Sequence, residues 1–349
     1  MTTADVCVVG GGPSGALFSI LMRRAGRTVV LFDDQRRSKP RIETLSPTGA
    51  RLLREHDLHD CLLASGAIRS SGLLERWSSA RLCTARSSIS NAVGSAWHID
   101  RSRFDAVLRR RAESIGVQVI EARVASAAPS VEGYLVSAPL GSIACRDLVD
   151  ATGSAAPLGR RLRLVPRVLD RQLALSVRLD HRLAEPALVL LSVASGWLYL
   201  TPCGDNATQA TLVTDTDIVR GETPRHLMAA ALQDFDPTLA LDWASCAIQI
   251  SPVLLQVAPA AAPPRFRRIG DAAWSPDPLS GEGVAEALQS AIHAAGEPLS
   301  RFSPAQLALA HLRQRSAFYR NSAFHDAPYY RNRLRAAARV EEDWHGHPL

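Results

Sequence analysis

Lysine is almost absent from this sequence. Lys39 is the only lysine among 349 residues, and the other 39 residues counted as Lys or Arg are arginines. These arginines are dispersed along the chain, and aromatic residues make up only 5 % of it. Because nucleic-acid binding needs a clustered basic patch with interleaved aromatic side chains, we expect no nucleic-acid partner. The formal net charge of +6 still suits an acidic partner.

Paired cysteines and long apolar runs are also missing. The six cysteines are scattered without a Cys-x-x-Cys pair, so neither a metal site nor a redox dithiol is expected. No run of about 18 apolar residues occurs, and we therefore expect no integral membrane segment. The N-terminus shows no basic region followed by a cleavage site, which predicts a cytoplasmic protein.

A glycine-rich turn follows the first predicted strand. Gly10, Gly12 and Gly15 have the Gly-x-Gly-x-x-Gly spacing of dinucleotide-binding turns. The first glycine permits a tight turn, the second lets a pyrophosphate approach the backbone, and the third lets the helix pack closely on the strand. The helix predicted over 14–24 offers free amide groups to the phosphates. The predicted phosphate-binding residues are Gly10, Gly12, Pro13, Ser14, Gly15 and Ala16.

An acidic pair ends the second predicted strand, which covers 28–32. Asp33 and Asp34 follow the glycine turn by about twenty residues, the spacing of a carboxylate that binds a ribose. Asp33 is the better candidate because it lies at the strand end, and a solvent-exposed turn acid is the alternative. Arg41 and Lys39, in the polar loop that follows, are expected on the phosphate side or in a solvated loop.

The segment 269–288 supplies a second cofactor motif. A predicted strand ends at Gly270, so Asp271 can accept a hydrogen bond from a polyol, and a helix opens at Gly281–Gly283 with amides that stabilise negative charge. This segment resembles the GDAAxxxxPxxGxGxxxA motif of the class A flavoprotein monooxygenases and the related flavin-dependent halogenases. The resemblance implies that Asp271 binds the ribityl chain of FAD. It places four further residues at the pyrimidine edge of the flavin: Leu279, Gly281, Gly283 and Val284.

Three other motifs resemble the same flavoproteins. The run Arg101–Leu108 resembles their RxxFDxxL helix, which implies that Arg101 reaches the flavin cofactor. Asp150–Gly153 resembles their DATG turn and places Gly153 near the adenosine half. Glu43–Pro47 is similar to the GExxxP loop of the halogenase branch. The predicted FAD-binding set is completed by Arg41 and Val124.

The predicted fold class is α/β, because strands and helices alternate around the cofactor motifs. We expect a discontinuous FAD-binding domain of the Rossmann type, similar to glutathione reductase, over 1–75, 92–164 and 265–300. Strand-like runs predict an antiparallel-sheet substrate domain over 76–91 and 165–264. The last part, 301–349, is predicted to be a helical C-terminal segment.

The resemblance implies an FAD-dependent monooxygenase. Such an enzyme receives electrons from NAD(P)H or from an external flavin reductase, traps O2 as a C4a-hydroperoxide and hydroxylates an aromatic or indole-type substrate. The halogenases of the same group relay hypohalous acid through a lysine that normally follows the GExxxP loop. No lysine follows Lys39, which argues against halogenation by that route. The segment Trp197–Pro202 also departs from the halogenase WxWxIP signature at Tyr199 and Leu200.

One branch of these flavoproteins matures tryptophan-derived quinone cofactors, and the segment Asp277–Gly283 and the C-terminal tyrosines and arginines resemble it. This resemblance implies a tryptophan inside a precursor protein as substrate, while a free aromatic small molecule is an equal alternative. The sequence is also compatible with a flavin-dependent halogenase, a flavin reductase of the geranylgeranyl-reductase type, and a non-catalytic flavoprotein that binds a partner protein.

Catalytic candidates lie in segments expected to face the flavin. His98 has the residue type that shuttles protons near neutral pH, and a structural histidine is the alternative. Trp197 and Tyr199 are two positions apart in a predicted strand and therefore share one face, where they line either a pocket or the sheet core. The candidate catalytic residues are His98, Tyr199 and Asp277. The candidate pocket residues are Trp97, Trp197, Tyr199 and Trp274.

Overall fold

The computed structural model describes residues 2–34, 41–79, 83–87, 93–204, 206–236, 246–296 and 303–346. Lys39 and the rest of residues 35–40, in the predicted polar loop, lie outside these residues. The described strands are β1 (Thr2–Val9), β2 (Val29–Asp33), β3 (Ile42–Leu45), β4 (Ile68–Arg69), β5 (Gly72–Arg76), β6 (Cys83–Ser87), β7 (Trp97–Asp100), β8 (Gln118–Glu121), β9 (Ser126–Ser130), β10 (Gly133–Ala138), β11 (Gly141–Asp150), β12 (Arg167–Leu179), β13 (Leu188–Val193), β14 (Gly196–Gly204), β15 (Ala207–Thr214), β16 (Gln249–Val257), β17 (Phe266–Arg268) and β18 (Trp274–Ser275).

Helices connect these strands and form the C-terminal part of the described chain. The described α-helices are α1 (Pro13–Arg24), α2 (Pro47–Glu55), α3 (His59–Ala64), α4 (Arg101–Ser114), α5 (Pro157–Arg161), α6 (Thr216–Gly221), α7 (Pro224–Phe235), α8 (Gly283–Ala294), α9 (Pro304–Arg320) and α10 (Pro328–Gly346). Two 3-10 turns flank β18, at Gly270–Ala272 and Pro278–Ser280.

The first sheet has the strand order β8-β2-β1-β11-β10-β9, with β17 beside the end of β11. Strands β8, β2, β1, β11 and β17 are parallel, and β10 and β9 extend the sheet as an antiparallel hairpin. Both faces are covered, which explains why β2 is buried at every position. Helices α1, α4 and α8 form the core on one face. The carboxyl ends of β1, β2 and β11 therefore meet at one edge.

The second sheet has the order β18-β16-β12-β15-β14-β13-β5-β6 among the described residues and is antiparallel except where β13 pairs with β5. Alternate side chains of β12 to β15 pack against α7 in an apolar core. The opposite face carries the aromatic residues of β14 and meets α9 and α10. A small third sheet, β3-β7-β4, lies between these two parts.

These observations confirm the α/β fold class and the antiparallel second sheet. The proposed domain boundaries stay a prediction. Strands β5 and β18 belong to the second sheet, whereas the predicted division assigns most of β5 and all of β18 to the FAD-binding domain. Across the described residues, each helix is too short or too polar to cross a membrane.

Candidate functional site

A cleft of about 590 Å³ runs from the carboxyl edge of the first sheet to the aromatic face of the second. It gathers most of the residues that the sequence motifs assigned to a cofactor. Gly15 and Ala16 are buried behind the turn and are absent from its wall. The predicted cofactor residues that line the cleft are Gly10, Gly12, Pro13, Ser14, Asp33, Asp34, Arg41, Arg101, Val124, Gly153, Asp271, Leu279, Gly281, Gly283 and Val284.

The glycine turn leaves no room for side chains. Gly10 has φ of +108°, and a Cβ placed there would lie 2.2 Å from the Ala151 carbonyl oxygen. A Cβ on Gly15 would lie 1.9 Å from the Gly10 carbonyl oxygen. Gly12 begins α1 without a capping side chain, and the first turn of that helix holds no acidic residue. The amide groups of this turn are therefore suited to an anion.

Asp33 both faces the cleft and fixes the glycine turn. The carboxylate accepts a hydrogen bond from the Gly11 amide at 2.5 Å. Arg109 donates to the Gly11 carbonyl at 3.1 Å and lies 3.8 Å from the Asp33 carboxylate. We missed Arg109 in the sequence. Its one signal is its position eight residues after Arg101 on α4, about two helical turns away and thus on the same face.

Arg101 lines the cleft and is held between carboxylates. Its guanidinium lies 2.9 Å from Glu43 and 3.3 Å from Asp105, and Glu43 also pairs with Arg41 at 2.7 Å. Burial raises the pKa of Asp271, while the positive charges of Arg41 and Arg101 oppose that rise. The arginines thus face the residue that the motif assigns to the ribityl chain.

Two motifs that are far apart in sequence touch behind the cleft. Gly270 has φ of +58°, and a Cβ there would lie 2.5 Å from Ser14 Oγ in the glycine turn. Gly281 also has a left-handed φ of +65°, which lets the chain turn into α8. Ser46 Oγ donates to Glu282 at 2.6 Å and links α2 to this turn. The start of α8 is therefore linked to the loop 43–47, while Gly270, earlier in the same motif, packs on the glycine turn.

Arginines that we did not predict line the cleft near Val124 and Gly153. Arg123 and Arg161 line it on either side of Val124. The Arg161 guanidinium donates to the Val124 carbonyl at 2.7 Å. Among the described residues that line the cleft, every cationic side chain is an arginine: Arg41, Arg101, Arg123 and Arg161.

The aromatic wall is formed by β14. Trp197 and Tyr199 line the cleft and stack with ring centroids 5.5 Å apart and an interplanar angle of 28°. Burial raises the pKa of the Tyr199 phenol, so this group is neutral at physiological pH. Apolar side chains from other strands of the second sheet also line the cleft: Leu73, Leu188, Leu190 and Leu254. This part of the cleft is suited to a planar apolar group.

His98 and Trp97 lie behind the cleft, contrary to our expectation. His98 is 2 % exposed, and its ring nitrogens bond to Thr44 Oγ1 and the Pro186 carbonyl, each at 3.1 Å. Burial lowers the pKa of His98 to about 4, so the imidazole is neutral and satisfied near pH 7. Trp97 packs edge-on against His59 at 5.9 Å. Neither residue contributes to the cleft wall.

Asp277 and Trp274 are also buried outside the cleft wall. The Asp277 carboxylate lies 2.8 Å from Arg315 and accepts a hydrogen bond from the Leu279 amide at 2.9 Å. Burial raises its pKa, but the charge of Arg315 and the hydrogen bond from the Leu279 amide outweigh that effect and hold the pKa below its usual value. Asp277 is thus a paired, ionised group. Trp274 packs edge-on against the His311 ring at 5.5 Å.

The polar groups of the cleft fit a dinucleotide with an apolar ring system at one end. The uncapped start of α1 suits phosphates, carboxylates stand at two points where sugar hydroxyls need acceptors, and a helix begins at the distal end. A parallel Rossmann sheet that shares this cleft with an antiparallel sheet defines an FAD-dependent oxidoreductase.

Comparison with known proteins identifies the family. The tryptophan halogenase family model matches residues 56–237, more than half of the chain, and the chain belongs to this family. It is 26 % identical over 314 residues to LodB of Marinomonas mediterranea, described as an FAD-dependent oxidoreductase, with 84 % of each chain covered. It is 25 % identical to the flavin-dependent halogenase armH4 of Armillaria mellea, covering 84 % of this chain but 64 % of that protein.

A solved structure shares the fold. The peptidyl tryptophan dihydroxylase QhpG, essential for tryptophylquinone cofactor biogenesis, superposes with a TM-score of 0.76 at 24 % identity. The match covers 95 % of this chain and 79 % of that chain. The predicted family, the enzyme class and FAD as cofactor are confirmed by these similarities.

Proposed function

We propose that this protein is an FAD-dependent monooxygenase that hydroxylates an indole-type aromatic ring, with tryptophan in a peptide or protein as the preferred substrate. The continuity of the cleft carries the proposal, because the glycine turn and the stacked Trp197–Tyr199 pair line the same cavity. A cofactor bound at one end and an aromatic ring held at the other would meet there. Oxygen transfer requires such proximity.

The assignment of residues to FAD follows the cleft from end to end. The amides at the start of α1 would bind the pyrophosphate, and Asp33 and Asp271 would accept hydrogen bonds from the ribose and the ribityl chain. The first turn of α8 would stabilise negative charge on the reduced ring. Bound FAD supplies the redox chemistry that activates O2.

The chain's own residues orient the substrate and limit water. The Tyr199 ring offers a flat surface on which an indole can stack, and the buried Trp197 ring supports it by stacking against it. Leu73 and Leu190 line the same cleft. The substrate gains one oxygen atom from O2 and the other leaves as water. NAD(P)H, or reduced flavin from a separate reductase, supplies the electrons.

Hydroxylation is favoured over halogenation by the basic residues. The halogenase resemblance assigns the relay of hypohalous acid to a lysine, but the cations on the described cleft wall are arginines. A guanidinium stays protonated and is therefore a poor nucleophile at neutral pH. Lys39, the single lysine, lies outside the described residues and is the position to test for halogenation.

A protein-bound substrate is supported by two observations. QhpG, which shares the fold, is a peptidyl tryptophan dihydroxylase. The net charge of +6 suits an acidic partner surface. Free tryptophan and indole are the alternative substrates.

The test is an oxygen-labelling assay of the purified FAD-loaded protein. Reduced flavin from an external reductase, or NAD(P)H, is supplied under ¹⁸O2 with one of three substrates: a set of tryptophan-containing peptides, free tryptophan or indole. We expect a product whose mass includes ¹⁸O, formed in larger amount from a peptide. The Tyr199→Ala variant should bind FAD normally and form several-fold less product.

Parallel reactions with chloride and bromide separate hydroxylation from halogenation. A halogenated product that disappears in Lys39→Arg would overturn the hydroxylase proposal in favour of halogenation. Oxygen consumption without any modified aromatic product, with all three substrate types, would also contradict it.

A further inference from the structure

A buried ionic network joins the C-terminal helices to the rest of the molecule. Arg315 on α9 lies 2.7 Å from Asp170 and 2.8 Å from Asp277. Arg333 on α10 also pairs with Asp170 and lies 2.5 Å from Asp215. The side chains of all five residues are at most 10 % exposed. Charges this deeply buried are held in place by their partners.

Asp277 connects this network to the wall of the cleft. Its neighbours Pro276 and Pro278 line the cleft, as do the residues from Leu279 to Gly281. One carboxylate oxygen accepts the Leu279 amide at 2.9 Å, and the other accepts Gln172 at 2.5 Å and Arg315. Both carboxylate oxygens of Asp277 are thus bonded to neighbouring protein groups.

The backbone of Asp277 is fixed as well. Its amide donates to His311 Nε2 on α9 at 3.2 Å. Pro276 and Pro278 each restrict one backbone dihedral, and the contacts of Asp277 restrict the residue between them. Helix α9 therefore holds the turn by both its backbone and its side chain.

Stability alone does not account for such a network. A buried ion pair is often no more stabilising than apolar residues of the same volume. In some proteins, buried ionic groups instead specify one local conformation. Where that conformation borders a cofactor, an error of about 1 Å in the supporting residues is enough to impair a site.

We infer that Arg315 and Asp277 are positioning residues, through which helix α9 sets the conformation of the turn 276–281 at the flavin end of the cleft. The inference rests on the proposed placement of FAD. It adds that the C-terminal helices, which contribute no described residue to the cleft wall, determine how well the cofactor binds.

The experiment compares two matched carboxylate-to-amide variants of the full-length protein. Asp277→Asn and Asp215→Asn each remove one charge from the same network, but Asp215 pairs with Arg333 on α10 and not with the turn. FAD affinity is measured by flavin fluorescence titration of the apoprotein, and unfolding temperature is measured on the same samples. We expect the Kd for FAD to rise about tenfold or more in Asp277→Asn and to change less than about twofold in Asp215→Asn.

Two arginine variants keep the inference testable if Asp277→Asn does not fold. Arg315→Lys retains a charge that can pair with one aspartate, and should recover part of the FAD affinity lost in Arg315→Met. Equal FAD affinity in Asp277→Asn and Asp215→Asn at similar thermal stability would overturn the inference. Failure of the unaltered protein to bind FAD would instead contradict the proposed function.

Discussion

Buried titratable groups in this fold are kept in one ionisation state by their surroundings. His98 is neutral because it is buried and both ring nitrogens are bonded. Asp277 is ionised because Arg315 lies beside it. Both have residue types common in proton transfer, yet neither is available for it. The role of such a residue depends on its burial and partners more than on its identity.

The pH dependence of stability tests the assignment of His98. Because its pKa is about 4 in the folded state, against 6.5 for a solvated histidine, the unfolded chain binds the proton first as pH falls. Stability is therefore lost between pH 6.5 and 4, by on the order of 3 kcal/mol in total. In His98→Gln, the slope of unfolding free energy with pH should fall by up to about 1.4 kcal/mol per pH unit.

Urea unfolding between about pH 4.5 and 7.5 measures this slope. His325→Gln, at an exposed position, serves as the control and should behave like the unaltered protein. An unchanged slope in His98→Gln would show that the imidazole is already protonated or solvated in the folded state.

The strand–turn–helix unit at the N-terminus was predictable because its conformation is local. The glycine spacing predicted a helix over 14–24, and α1 covers Pro13–Arg24. The strands of the second sheet were also anticipated, from strand-like runs rich in Leu, Val and Thr, as in β13 and β15. The small sheet β3-β7-β4 was not predicted, because its strands have only two to four residues and leave little periodicity to detect.

The variant Gly15→Ala tests how closely α1 packs on β1. In Gly15→Ala, the Cβ would lie 1.9 Å from the Gly10 carbonyl oxygen, so the helix must move away from β1. We expect a loss of more than about 3 kcal/mol in unfolding free energy and a weakened FAD complex. Gly221→Ala is the control, since no atom lies within 4 Å of its Cβ position; its stability should change by less than about 0.5 kcal/mol. Equal stability of both variants would contradict the packing argument.

The C-terminal helices are part of the core of the molecule. Tyr319, Tyr329 and Tyr330 are at most 1 % exposed and pack with Trp77 and Trp197 against the second sheet. Each buried aromatic ring removes about 150–250 Å² from water, so three rings contribute on the order of 10 kcal/mol. This is comparable with the total stability of a typical domain, about 5–15 kcal/mol.

Truncation tests this dependence. A chain that ends after Gly296 should lose its cooperative unfolding transition and its FAD, because the aromatic face of the second sheet becomes exposed. A chain that ends after Gly346 should keep both. Calorimetry and the flavin absorbance of the purified protein report the two properties. A shortened chain that still unfolds cooperatively and retains FAD would show that the helices are a separate appendage.

Local sequence patterns carried the family, the cofactor and the outline of the fold. These patterns are the glycine turn, the Asp271 segment and the strand-like runs. Each depends on neighbouring residues, so each can be recognised in the sequence. The choice between pocket and core could not be made in this way. Trp197 and Trp274 both lie in segments that were expected to face the flavin, yet the first lines the cleft and the second does not.

The buried network shows the physical reason. Asp277 meets an arginine 38 positions later and Asp170 meets one 163 positions later, and no local pattern encodes such pairs. Burial removes water and makes each charge depend on the partner that packing supplies. The sequence determined the cofactor-binding turn, because its conformation is local. Tertiary packing decided which polar side chains face the cleft and which are bound within the protein.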